Sequence, residues 1–123
     1  MMDTSSMTPS QLVTIIDEAV DAECERNDDF SWLEFEDRVE YNYDVEGLPY
    51  PLNTARYVDG YGGKDQGDAY WFVFSVQFED GTTHLFRKNG YYTSYGGAEL
   101  DGPTHLVERK QVFVDRFVTI EDD

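Results

Sequence analysis

The sequence predicts an α+β fold: one N-terminal helix packed on a mostly antiparallel sheet of five to six strands. Three observations predict it. A capped amphipathic stretch occupies residues 9–26. Runs rich in aromatic and β-branched residues, many alternating with period two, fill most of the remainder. Turn dipeptides such as Asp80-Gly81 and Asn89-Gly90 join those runs closely enough for hairpins. At 123 residues one domain is expected over 1–123, with residues 1–7 a loose polar tail.

The helix is the most strongly signalled element. In Thr8-Pro9-Ser10-Gln11 a Thr N-cap, Pro at the first helical position and Gln at the third make a capping box. Leu12, Ile15, Ile16, Ala19 and Val20 form its apolar stripe. Asp17, Asp21, Glu25 and Asp28 form a spaced acidic stripe. Acids near a helix C-terminus oppose the macrodipole, so local stability does not explain them.

From Trp32 to Glu46 the chain alternates. Leu33, Phe35, Val39, Tyr41, Tyr43 and Val45 take odd positions, with Asp37 the exception. Glu34, Glu36, Arg38, Glu40, Asn42, Asp44 and Glu46 take even ones. Period two predicts a long strand with a buried face and a carboxylate-lined wet face. Two prolines in Gly47-Leu48-Pro49-Tyr50-Pro51 break it.

A short strand is expected over Thr54–Asp59, then a glycine-rich loop over residues 60–68. Tyr70–Glu79 is apolar on both phases at its start and reads as the central strand. Glu79-Asp80-Gly81-Thr82 suits a type I′ turn, Thr83–Lys88 returns, and Asn89-Gly90 suits a second turn. Thr104–Ile120 reads as a long strand with a bulge near Glu108–Lys110.

Charge narrows the function classes. The 26 acids and 9 bases give −17, which repels nucleic acid and anionic membrane and favours basic partners. No direct nucleic-acid or membrane binding is expected. The imbalance is steepest in residues 1–53, with 14 acids against 2 bases.

Chemistry-bearing patterns are not found. His84, His105 and Cys24 lack zinc-site spacing, and one cysteine allows no intrachain disulfide. Asp59, Asp65 and Asp68 in the glycine-rich loop do not follow an EF-hand order. No phosphate-binding loop or nucleophile signature is present. The expectation is a non-enzyme with no catalytic residues, metal or cofactor. The opening Met-Met-Asp-Thr-Ser-Ser lacks a basic n-region, and no apolar run reaches membrane-spanning length, so a cytoplasmic protein is expected.

The acids are then the candidate binding residues: Asp17, Asp21, Glu25, Asp28, Glu34, Glu36, Glu40, Asp44 and Glu46. Carboxylates two apart on a strand lie about 6.6 Å apart. Acids four apart on a helix step by about 6 Å. Both approach two nucleotides' rise on one DNA strand, about 6.8 Å. The acids can thus imitate a phosphate ladder. Two blander readings compete: a solvated face, or adaptation to a high-salt cytoplasm, which 15 Asp against 3 Lys would suit.

The pattern Tyr61-Gly62-Gly63…Gly67-Asp68…Trp71…Phe74, followed by Asn89-Gly90-Tyr91-Tyr92-Thr93-Ser94-Tyr95-Gly96-Gly97, resembles one in small uncharacterised accessory proteins of tailed bacteriophages. It covers about residues 57–118 and carries no known catalytic residue. The resemblance implies an accessory phage protein acting in the bacterial host cytoplasm. Joined to the acidic surface, it implies an inhibitor of a basic nucleic-acid-binding host protein, of anti-CRISPR or anti-restriction type. Two alternatives remain open. One is a virion or assembly protein forming a homodimer or larger homo-oligomer through an aromatic sheet face. The other is a small Ca²⁺- or carbohydrate-binding module using the glycine–tyrosine loops.

Overall fold

Two helices and a five-stranded antiparallel sheet make up the α+β fold of the computed structural model, which describes residues 3–63, 67–110 and 117–120. The helices are α1 (Pro9–Arg26) and α2 (Trp32–Tyr41). The strands are β1 (Arg56–Tyr61), β2 (Ala69–Gln77), β3 (Thr83–Thr93), β4 (Gly97–Glu99) and β5 (Thr104–Val107). β2 lies between β1 and β3, and β3 pairs with both β4 and β5.

The helix α1 forms as its sequence dictates. The Gln11 N–H donates to Thr8 Oγ1 at 3.1 Å and the Thr8 N–H donates back to Gln11 Oε1 at 2.9 Å. Leu12, Ile16 and Val20 are buried.

The acidic stretch is not a strand but the helix α2. Ser31 caps it, its Oγ accepting from the Glu34 N–H at 3.1 Å. Asn42 ends it in the left-handed region, φ 53°. Two periodicities compete here. The period-two reading buries Leu33, Phe35, Val39, Tyr41 and Val45; the helical one selects Trp32, Phe35, Glu36 and Val39. Phe35, Val39 and Val45 are buried, but Leu33 and Tyr41 are exposed and Glu36 is buried. Glu and Arg lose little freedom in a helix, Val39 is the one β-branched residue in α2, and Ser31-x-x-Glu34 is an N-terminal signature. Local preference therefore agrees with the helical pattern.

Four smaller expectations also change. Thr4–Ser6 form a short 3₁₀ turn rather than a loose tail, with Thr4 buried. The Thr4 N–H and hydroxyl each donate to Asp80 Oδ2 at 2.7 Å. The turn after β2 is not type I′: Gly81 alone takes positive φ, 83°, while the Gly81 N–H reaches Phe78 O and the Phe78 N–H reaches Thr82 O. Asn89-Gly90 is not a turn, because β3 runs straight through it. A Cβ on Gly90 would collide with the Glu99 carbonyl, so this glycine permits close backbone approach. The long final strand is short: β5 ends at Val107, and residues 108–110 and 117–120 are not strand. Residues 111–116 lie outside the described set.

Both helices pack on one face of the sheet. Phe72, Phe74 and Val76 of β2 and Phe86 of β3 share a core cluster with Leu12, Ile16, Val20, Phe35 and Val39. Phe35 sits edge-on to Phe74 with ring centroids 5.2 Å apart. Trp71, Val73, Leu85 and Arg87 occupy the opposite phase of the strands and are half-buried. There the Arg87 guanidinium lies 4.4 Å over the Trp71 ring.

Candidate acidic binding surface

Sharing one face of the sheet gives α1 and α2 a common outer surface. Of the nine acids read as binding residues, Asp21, Glu25, Asp28, Glu40, Asp44 and Glu46 are exposed there or in the segments that follow the helices. The other three turn toward partners within the chain. Asp17 is half-buried, its Oδ1 accepting from the Thr104 hydroxyl at 2.6 Å and tying α1 to β5. Glu34 takes the Arg38 Nε–H at 3.1 Å and the Tyr43 hydroxyl at 3.4 Å. Glu36 is 6% exposed and accepts from the Tyr70 hydroxyl at 2.7 Å.

Helical geometry also dissolves the expected row. At about 100° per residue, Glu36 and Glu40 share one side of α2 while Glu34 points well away from both. The two-residue ladder is replaced by four-residue steps, Asp21 to Glu25 on α1 and Glu36 to Glu40 on α2. Both bases of the helical layer are engaged within it. Arg26 pairs with Glu23, and Arg38 pairs with Glu34 and stacks over the Phe30 ring.

Beside α2 the surface falls into an open cleft of about 400 Å³. Glu36 and Glu40 line one side; Tyr57, Tyr61, Tyr70 and Trp71 line much of the rest. A bulge in β1 shapes it. Pairing with β2 jumps from Tyr57↔Phe74 to Asp59↔Val73. The Tyr57 ring then lies along the strand, its hydroxyl where a Cβ on Gly60 would stand. Gly62, at φ 113°, passes so close to β2 that a Cβ would collide with the Ala69 carbonyl. Tyr61 stacks on Trp71 with centroids 6.0 Å apart.

The cleft's electrostatics are those of unbalanced negative charge. Burial pushes the Glu36 carboxyl above its ordinary range, the Tyr70 bond opposes this, and Glu40 and Asp37 push further up. Burial, then the hydrogen bond to Glu36, holds the Tyr70 phenol well above an ordinary tyrosine. Burial, then Glu40 and Glu36, raises Tyr57. Among the described residues, no cation contributes to the Glu36 shift.

Sequence reading missed three features. The buried role of Glu36 follows from the helical period, which a period-two reading hides. Lys88 is buried on the core face of β3, its ammonium 4.5 Å over the Trp32 ring, and burial lowers its pKa. Its alternation with Phe86 was the available signal. The cleft itself joins residues from 36 to 71 and has no local signature.

The glycine–tyrosine loops place Gly62, Gly63 and Gly97 at positive φ, a conformation that residues with a Cβ rarely adopt. Tyr95 is fully exposed at the tip between β3 and β4. Among the described residues no group of three or more His, Cys, Asp or Glu is placed to hold a metal ion. No described helix is long and apolar enough to cross a membrane. No family model, curated protein or solved structure matches the chain.

Proposed function

We propose that the chain is a non-enzymatic binder of a basic protein, its acidic helical layer taking the place of phosphates in the partner's nucleic-acid groove. Charge segregation carries the reading. Residues 9–46 hold 13 acids and 2 bases, their helices share one sheet face, and both bases are already paired inside the layer. Such a surface attracts cationic grooves and steers their approach. The exposed four-residue step from Asp21 to Glu25 on α1, about 6 Å, remains close to the two-nucleotide rise of about 6.8 Å. The resemblance to phage accessory proteins supports a host nucleic-acid-binding protein as the partner, met in the bacterial cytoplasm, and so an anti-CRISPR or anti-restriction inhibitor.

The test is competition. Proteins captured on the immobilised chain from bacterial lysate at about 50 mM salt should be released by duplex DNA and by about 200 mM salt. Captured proteins that DNA does not displace would contradict the reading.

A second reading, self-association, has one observation in its favour. The sheet face opposite the helices carries an open cavity of about 470 Å³ whose apolar residues Val58, Trp71, Val73, Leu85 and Val107 are joined by the charged Asp59, Arg87, Glu108 and Arg109. Sedimentation equilibrium on the wild type and Trp71→Ala separates the two readings: a dimer lost in the variant supports the second.

A further inference from the structure

The geometry points to the cleft between α2 and the β1–β2 edge as a guanidinium subsite, built to take one arginine side chain of the basic partner against Glu36 and Glu40. This rests on the reading of the helical layer as a surface for a basic protein, and it adds where the chemistry of contact is fixed.

The first ground is an incomplete pairing. Buried carboxylates are ordinarily matched by a cation or by several donors. Glu36 is 6% exposed and, among the described residues, receives one hydrogen bond, from Tyr70 to Oε1. A carboxylate has acceptor capacity for about four donors. The bases of the helical layer are held elsewhere, Arg26 by Glu23 and Arg38 by Glu34. Glu36 also lines the cleft, so a group entering from solvent can reach it.

The second ground is the chemistry of the walls. Anions are repelled by Glu36, Glu40 and Asp37. A neutral apolar ligand would leave the buried carboxylate unmatched. A cation gains from both carboxylates and from the aromatic rings of Tyr57 and Tyr70. A guanidinium fits better than an ammonium. It is planar, stacks on aromatic rings, and presents five donors in a fork that can reach two carboxylates. The cleft's volume of about 400 Å³ lies within the usual ligand-pocket range, about 300–1,000 Å³. Its Glu40 side is exposed and continuous with the acidic outer surface, so a residue of a docked protein can enter it.

The experiment uses the whole chain and two probes, N-acetyl-arginine amide and a nona-arginine peptide, followed by amide NMR shifts and titration calorimetry. The small probe should saturate with shifts concentrated at residues 36–40, 57–62 and 70–71. Its lysine analogue should bind several-fold more weakly, and its neutral citrulline analogue should not saturate. Glu36→Gln should lower small-probe affinity at least about tenfold, while Glu79→Gln leaves it unchanged. Binding should also weaken as pH falls through the raised range of Glu36. Glu40 and Asp37 of α2, Tyr57 of β1 and Tyr70 of β2 are the facing groups, and the guanidinium itself does not titrate. Equal binding of the lysine or citrulline analogue, or indifference to Glu36→Gln, overturns the subsite. If the nona-arginine peptide still binds in that case, the acidic surface stands without a built subsite. If neither probe binds, both readings fall.

Discussion

Asp80 accepts three hydrogen bonds at the turn between β2 and β3: the Thr4 N–H and hydroxyl at Oδ2, and the Thr82 N–H at Oδ1. The Thr4 hydroxyl bond, then the backbone N–H bonds, hold its carboxyl far below the ordinary aspartate range. A depressed folded-state pKa stabilises the fold above the unfolded pKa, about 3.9, and that contribution is lost as pH falls below it. Asp80→Asn should therefore lower Tm at neutral pH, and the gap to wild type should narrow as pH falls below about 4, closing only once pH has passed through the depressed folded-state pKa. Glu36 has the opposite sign. Its raised pKa means the folded state keeps its proton longer, so its contribution to stability falls as pH rises from the usual glutamate range, about 4.3. Glu36→Gln, which retains an acceptor for Tyr70, should melt at the same or higher temperature at pH 7 and lose that advantage below about pH 4. Melting curves across pH check both. Neither role was legible in the sequence. The partners lie 76 residues apart in one case and 34 in the other, and only the folded chain brings them together.

At the scale of elements, α1 was readable because capping and apolar period agree, whereas the next helix was hidden by a pattern that fits two periods. Between Leu33 and Val39 the odd positions and the helical positions share Phe35 and Val39. Trp32, Leu33, Glu36 and Asp37 distinguish them, and the Ser31 cap settles the matter. Because α2 docks through Phe35, which meets the Phe30, Trp32, Phe72 and Phe74 rings, Phe35→Ala should cost about 3–5 kcal/mol. Ser31→Ala should cost about 1 kcal/mol by removing the cap. Denaturant titration measures both. A strand here would leave Ser31→Ala nearly silent. The Asn89-Gly90 turn failed for a related reason: the dipeptide suits a hairpin locally, but Gly90 serves the passage of residues 99–100 against β3. The turn at 79–81 was placed correctly and mistyped, because a three-residue loop needs positive φ at Gly81 alone.

Across the whole molecule the charge is sorted by layer. Residues 9–46 bear 13 of the 26 acids, while seven of the nine bases lie beyond residue 53. That asymmetry was legible in the sequence; that two helices share one sheet face, and so present the acids together, was not. The fold carries the layer at modest cost, since two carboxylates about 6 Å apart in water repel by roughly 0.7 kcal/mol before screening. The most direct measurement compares two triple variants for affinity toward the nona-arginine peptide at about 50 and 200 mM salt. One is Asp21→Asn, Glu25→Gln, Glu40→Gln on the helical layer; the other is Glu79→Gln, Glu99→Gln, Glu108→Gln elsewhere. The first should lose most of the low-salt affinity and flatten its salt dependence while remaining folded, whereas the second should stay near wild type. Equal losses in the two variants would mean that net charge alone governs binding and would contradict an acidic layer built as a binding surface.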